Sequence, residues 1–385
     1  MSITRPAELA AAPARSQRHS TKPVSGPSVW LRWLLPIRLG AVLVWEVAAA
    51  AVLIGYAHRS DSVGRSVFWV IAAIAAVVFL LSSIRVAGLT GTGRVRAAFS
   101  LRRRRKRYAA DPTGDTVQQR LLPNLTLNTH IDRAGNRTGM IGADLGWSAT
   151  VRISDTSTPD PDALIAAATR ACLRPDLPLA AVQVLSWNVP SNWEGGTGTL
   201  RQFFLSVRVA ETPSRRAILA RGGGPAGAQR ATASAAASLA FELTQLGYAC
   251  SVLDGSELEQ HVQLMSGATA VSPDQAAKPV ETKDTWAIGQ IQQSCFRVGG
   301  GTSRAEALLW PAQTPLSFAI GSCTIRPNGD RDPHLTFLMR AAMVRQQQAL
   351  TIEQASRALD RRLIPLRFRQ EAAMRATLPL ALGDR

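Results

Sequence analysis

Two long apolar runs dominate the pattern of this chain. Leu39 to Ala57 is apolar for 19 residues apart from Glu46, and Val67 to Ile84 runs for 18 residues without a charge. At about 1.5 Å rise per residue, each reaches roughly 28 Å as a helix, close to the hydrocarbon thickness of a bilayer. The nine residues between them, His58 to Ser66, are polar and include Gly64. The pattern predicts a two-helix transmembrane hairpin with a tight connection, with Trp30, Trp33 and Tyr56 near its ends, where aromatic rings favour the interface. Because 38 residues precede the first run, it is expected to stay as an anchor rather than be cleaved as a leader.

From about residue 115 the pattern changes to alternating strand and helix signals. Gly139 to Gly142 and Trp147 to Ile153, with Asp144 and Gly146 at the bend, predict a hairpin. Asp160-Pro161-Asp162 opens an Ala-rich helix to about Leu173. Val182–Trp187 and Arg201–Val209 predict strands, the polar Ser206 and Arg208 alternating with apolar neighbours. A helix is expected from Pro225 to Leu246, ending at Gly247. A short strand follows at Tyr248–Leu253, then a helix over Ser256–Met265 opened by Asp254 or Ser256. Residues 266–284 are expected as a polar linker, Trp286–Val298 and Pro315–Ile325 as strands, and Asp330-Arg331-Asp332 as a turn. Leu335–Met343 fits either a strand or a helix. A further helix is expected from Thr351. The fold class is α+β: the N-terminal hairpin, then a domain with a mixed or antiparallel sheet and packed helices. The organisation reads as a disordered basic tail (1–28), the two spans (29–86), a basic linker (87–114) and a folded domain (115–385).

Charge sets the orientation. The chain carries +17, and residues 1–110 hold 17 Lys or Arg against Glu8, Glu46 and Asp61, so the N-terminal part carries +14 and the rest +3. Basic residues crowd both flanks of the hairpin, and the connection holds only Arg59 and Arg65. The positive-inside rule then places both termini in the cytoplasm, in a multi-pass protein of the inner (plasma) membrane. Arg38, Arg85 and the run Arg102, Arg103, Arg104, Arg105, Lys106 and Arg107 are expected to meet anionic lipid headgroups. Glu46, inside a span, marks a possible helix contact, because an isolated charge there costs about 2.5–3.5 kcal/mol.

Arg221-Gly222-Gly223-Gly224 before a long helix invites a phosphate-loop reading, but Gly227 is followed by Ala228 and Gln229 where that loop needs Lys and Ser or Thr. The glycines are expected to turn the chain into the helix. The five histidines are scattered, and no His or Cys pair has zinc-ligand spacing. Cys172, Cys250, Cys295 and Cys323 form no CxxC pair and are expected as small buried hydrophobes. No catalytic residue, metal, cofactor or small-molecule substrate is expected.

The order of elements resembles the EccE family of type VII (ESX) secretion systems of actinobacteria. The most specific pieces are Arg208-Val209, Ala220-Arg221-Gly222-Gly223-Gly224, Gly227-Ala228, Arg230-Ala231, Gly247 and Leu253-Asp254. Asn136 to Gly139 with Gly146-Trp147, Trp286 with Cys295-Phe296, and Ala376-Thr377-Leu378-Pro379-Leu380 are similar to further family features. The stretch Arg369 to Arg375 is more polar and helix-like than the family's usual Pro-rich segment. The resemblance implies a non-enzymatic membrane subunit that helps assemble and stabilise the channel beside EccB, EccC and EccD, with EccC as the ATPase. Two other functions compete: a membrane-tethered enzyme acting on a nucleotide-sugar or lipid, and a membrane anchor binding nucleic acid through the basic run.

Overall fold

The computed structural model describes residues 39–57, 62–83, 85–86, 89–110, 125–143, 146–154, 159–193, 196–268, 279–299, 305–309, 316–329, 331–344 and 363–382. The tail at 1–28, the hairpin connection at 58–61, Asp144, Asp330 and the helix expected from Thr351 lie outside them. The chain divides into two compact units, Met1–Ser82 and Ser83–Arg385.

In the first unit, helix α1 spans Leu39–Ala57 and α2 spans Ser62–Ser83, starting five residues earlier than the apolar run. They pack against each other through Gly55. A Cβ there would lie 3.5 Å from both Phe68 and Ile71, at ordinary van der Waals contact, so the two helices meet closely at this point. Tyr56 sits edge-on to Phe68 at 6.0 Å. The remaining large side chains point away from this contact: Leu53 is 69% and Trp69 66% exposed. Among the described residues, whose side chains cover 45–57 of α1 and 64–77 of α2, no helix is long and apolar enough to cross a membrane.

The second unit begins with a short antiparallel pair, β1 (Arg85–Val86) and β2 (Leu89–Thr90), and runs directly into helix α3, Gly91–Ala110. Residues 91–110 therefore form a helix, not the linker that the Gly and Arg content predicted. Their helicity is secured by docking: Leu101 is buried, and Arg104 and Arg105 bind residues far away in sequence.

The body of this unit is one twelve-stranded sheet. Its strands are β3 (Thr126–Ile131), β4 (Arg137–Ala143), β5 (Gly146–Ile153), β6 (Ala181–Trp193), β7 (Gly196–Ala210), β8 (Cys250–Val252), β9 (Val280–Glu281), β10 (Trp286–Ile288), β11 (Ile291–Val298), β12 (Phe318–Asn328), β13 (Arg331–Val344) and β14 (Leu363–Pro365). The spatial order is β3-β4-β5-β7-β6-β12-β13-β11-β10-β9, with β8 added to β5 and β14 to β11. Every pairing among the described residues is antiparallel, which decides between the mixed and the antiparallel sheet expected from sequence. A helical crossover does join β5 to β6, through α4 (Pro161–Cys172), and leaves those two strands running the same way. The long hairpin return of β7 then slots between them, so they never pair.

Most of the expected elements form. The 137–153 hairpin closes with Met140 opposite Ala149 and Ala143 opposite Gly146. Asp160 caps α4, its carboxylate accepting the Asp162 N–H. Helix α6, Gly224–Gln245, follows the expected course and ends before Gly247, whose φ is 89°. Helix α7, Gly255–Ser266, is opened by Asp254, not Ser256: Asp254 and Glu257 form a reciprocal capping box. The carboxylate of Asp254, accepting the Glu257 N–H, is held below the usual range. Four expectations fail. Arg331 and Asp332, expected in a turn, open β13, where Arg331 pairs with Asn328 of β12. Helix α5, Glu211–Ala220, forms where none was read. Trp286–Val298 is two strands, because Gly289 (φ 54°) turns the chain between Ile288 and Ile291. Residues 280–281 are a strand, not linker. The ambiguous 335–343 stretch is the inner part of β13, where burial on both faces erases the alternation that identifies a strand.

The sheet has a core on each face. Helices α4, α5 and α6 cover the first, over side chains such as Val151, Val184, Leu205 and Met339. The second is covered by α7, by α8 (Gln370–Ala376) and by the segment after it, with Leu378, Leu380 and Leu382 packed beside Phe204, Ile320 and Leu338. All four cysteines are free thiols, Cys172, Cys295 and Cys323 buried and Cys250 half-buried, as expected. Burial pushes Cys172 up to about 11 and Cys323 to about 12. A thiol-reactive dye at pH 8 is therefore expected to label Cys250 first and the buried thiols only on unfolding; rapid labelling that persists in Cys250→Ser contradicts this packing.

Candidate functional site

The Gly-rich loop is a turn between two helices. Gly222, Gly223 and Gly224 have φ of 97°, 67° and 59°, a left-handed run that side-chain-bearing residues resist. It reverses the chain from α5 into α6. Arg221 contributes its carbonyl, which accepts a bond from Arg230 Nη1 at 2.7 Å. Gly227 meets the preceding helix so closely that a Cβ would lie 2.6 Å from the Ile218 carbonyl oxygen. Gly227→Ala is thus expected to destabilise the fold by about 1–3 kcal/mol through overpacking, read as a lower denaturant midpoint at unchanged slope.

The basic run divides. Arg104 turns inward: Nε donates to Glu281 Oε2 at 2.8 Å and Nη2 to Oε1 at 3.0 Å, with a further bond from Nη2 to the Phe368 carbonyl at 2.7 Å. Arg105 Nε donates to the Glu281 carbonyl at 2.7 Å. Glu281 Oε1 also accepts the Glu371 backbone N–H at 3.1 Å, in the first turn of α8. Glu371 itself lies 3.4 Å from Arg104 and pairs with Arg375. The result is a buried joint between α3, β9 and α8, with Glu281 0% and Arg104 24% exposed at their side chains. Arg102, Arg103 and Lys106 are exposed. Arg38 lies outside the described residues. Arg85 falls in β1, and the side chains of Arg85 and Arg107 are not among those described. Glu46 is exposed on α1.

A second joint holds the C-terminal segment. Irregular backbone buried in a core must find hydrogen-bond partners, and here a polar row on the second sheet face supplies them. Ser148 Oγ donates to the Leu380 carbonyl at 2.6 Å and Thr150 Oγ1 to that of Pro379 at 2.7 Å. The Gln183 amide donates to the Ala376 carbonyl at 2.8 Å and accepts the Ala381 N–H at 2.9 Å. Arg340 Nη2 reaches the Thr377 carbonyl at 3.3 Å and Nη1 the Gln293 side chain at 2.9 Å. Arg340 is fully buried with no carboxylate partner among the described residues, lies 5.8 Å from the Phe318 ring centre, and is pushed down by burial to about 10. Sequence reasoning missed this row, although its polar residues interrupt otherwise apolar strands.

Among the described residues no group of three or more His, Cys, Asp or Glu side chains could hold a metal ion. His261 Nδ1 bonds the Glu257 carbonyl one turn back and its ring sits edge-on to Phe204, and His334 lies beside Thr336. Both are explained by local packing.

Comparison with known families matches residues 198–298 to the EccE family, the type VII ESX secretion system translocon. The matched stretch runs from β7 through the Gly turn, α6 and α7 to β11, and it holds Glu281 of the first joint. The family resemblance read from the residues is borne out over this segment. No curated protein matches the chain.

Proposed function

We propose, from the match of residues 198–298 to the EccE family of type VII secretion translocon proteins, that this chain is a non-enzymatic subunit which helps assemble and stabilise the secretion channel. The family match is the observation that carries the proposal. In this reading α1 and α2 cross the plasma membrane and both termini lie in the cytoplasm. Support for the spans comes from the exposed apolar faces of α1 and α2, with Val47, Ile54, Val70 and Ile74 also more than half exposed. Such surfaces demand a cover of lipid or partner helices. Glu46, exposed on α1, is the point at which a helix of another subunit makes contact in this reading, because a carboxyl group facing lipid alone finds no polar partner.

The partners are EccB, EccC and EccD, with EccC supplying the ATPase activity. No observation favours either the enzyme or the nucleic-acid alternative. Isolation of the full chain in mild detergent, from cells that assemble the channel, is expected to bring EccB, EccC and EccD with it. Recovery of the chain alone from such cells overturns the proposal. Nucleotides are expected to leave the thermal midpoint of the full chain unchanged, and a stabilisation of several degrees transfers the weight to the enzyme reading.

A further inference from the structure

Helix α3 is two-sided, and the side facing away from the folded unit has a composition of its own. The inner side carries buried Leu101 and the Arg104 joint. On the outer side Phe99 is 68% exposed, the ring standing clear of the sheet and of both cores. Three, four and seven positions later come Arg102, Arg103 and Lys106, all exposed. Those spacings stack the three cations beside the ring along a single helix face. Helix α3 contains no acidic residue, and its first residue follows the end of α2 by only eight positions.

An exposed aromatic ring flanked by cations on one helix face suits contact with a bilayer interface. The ring enters the boundary between headgroups and acyl chains, and the cations meet phosphates. A nucleic-acid face made only of phosphate contacts gives no reason for the isolated apolar ring. We infer that the Phe99–Arg102–Arg103–Lys106 face of α3 binds the surface of an anionic phospholipid bilayer, while Arg104 and Arg105 of the same run hold the folded unit. The inference rests on the proposal that α2 spans the membrane. It narrows the lipid-binding residues, because the basic run is shared between lipid and protein. Helix α3 then joins the folded unit to the bilayer surface: one side is fastened to β9 and α8, and the other meets the headgroups.

Each basic residue near an anionic surface contributes about fivefold in partitioning, so the three give the face roughly a hundredfold preference for an anionic over a neutral bilayer. The test uses the full chain in nanodiscs of phosphatidylcholine alone or mixed with phosphatidylglycerol. A bimane label at Phe99→Cys, in a Cys250→Ser background, reports contact with spin-labelled lipid. Strong quenching is expected in the anionic discs and weak quenching in the neutral ones, with the difference lost when Arg102, Arg103 and Lys106 are all replaced by Gln. Absence of quenching in anionic discs, or quenching unchanged by the triple replacement, overturns the inference. So does shielding of the label from aqueous iodide by duplex DNA in neutral discs, which assigns the face to nucleic acid instead. A second label at Ile74→Cys in α2 separates the two ideas. Quenching there in both lipids keeps the span while the α3 face stands or falls alone, and no quenching there sinks the span itself.

Discussion

Arg104→Ala lowers the stability of the folded unit by about 3–5 kcal/mol, the cost of leaving a buried carboxylate without its cation. Glu281 is fully buried and its carboxylate is held by both Nε and Nη2 of Arg104. With Arg104 gone, the Glu371 N–H still donates to Glu281 but brings no full charge. The expected readout is a denaturant midpoint that falls at constant slope in the full chain. Glu281→Gln in the Arg104→Ala background is expected to recover much of the loss, because it removes the stranded charge while keeping the shape of the side chain. If Arg104→Ala leaves the midpoint in place, the joint contributes no stability and α3 is an ornament. A further consequence concerns where the unit can be cut. A fragment beginning at residue 110 lacks Arg104, Arg105 and Leu101, and is expected to show the same loss, whereas one that begins at Ser83 keeps the joint.

Removal of the residues after Ala376 is expected to abolish folding of the same unit. The cut deletes Leu378 and Leu380, both fully buried in the second core. It also removes one hydrogen bond each from Ser148, Thr150, Gln183 and Arg340, whose partners are carbonyls and an N–H of that segment. Each buried bond lost costs about 1 kcal/mol, which adds to the loss of two core leucines. The chain that results is expected in the insoluble fraction. A milder variant keeps the idea testable: Leu380→Ala creates a cavity worth about 2–5 kcal/mol while leaving the backbone bonds in place. A soluble truncated chain with an unchanged melting temperature contradicts the central place given to the C-terminal segment.

The amino-acid pattern alone settled a good part of this protein. The apolar run at 39–57, the capping residues Asp160 and Asp254, the bend before Gly146 and the glycines at 222–224 are local signals, and each produced the element expected of it. Local signals act over a few residues, through φ preferences, end-capping and periodicity, so the chain displays them without its tertiary context. The family resemblance was legible for the same reason, because the Gly turn and its flanking helix are contiguous in sequence.

Tertiary structure decided what faces what. Alternation along β5, β6 and β7 marks one side of each strand as polar, and the usual reading of a polar side is that it faces water. Here Ser148, Gln183 and Ser206 are buried, because a segment more than 160 residues further along the chain lies across them and needs its carbonyls satisfied. The six consecutive basic residues at 102–107 look equivalent in sequence. Only the position of Glu281, 177 residues from Arg104, sorts Arg104 inward from its neighbours. Both outcomes depend on contacts between distant parts of the chain, and such contacts leave no periodic trace in either partner. Sequence thus determined which segments become helices and strands, and the packed fold determined which of their polar faces meet protein.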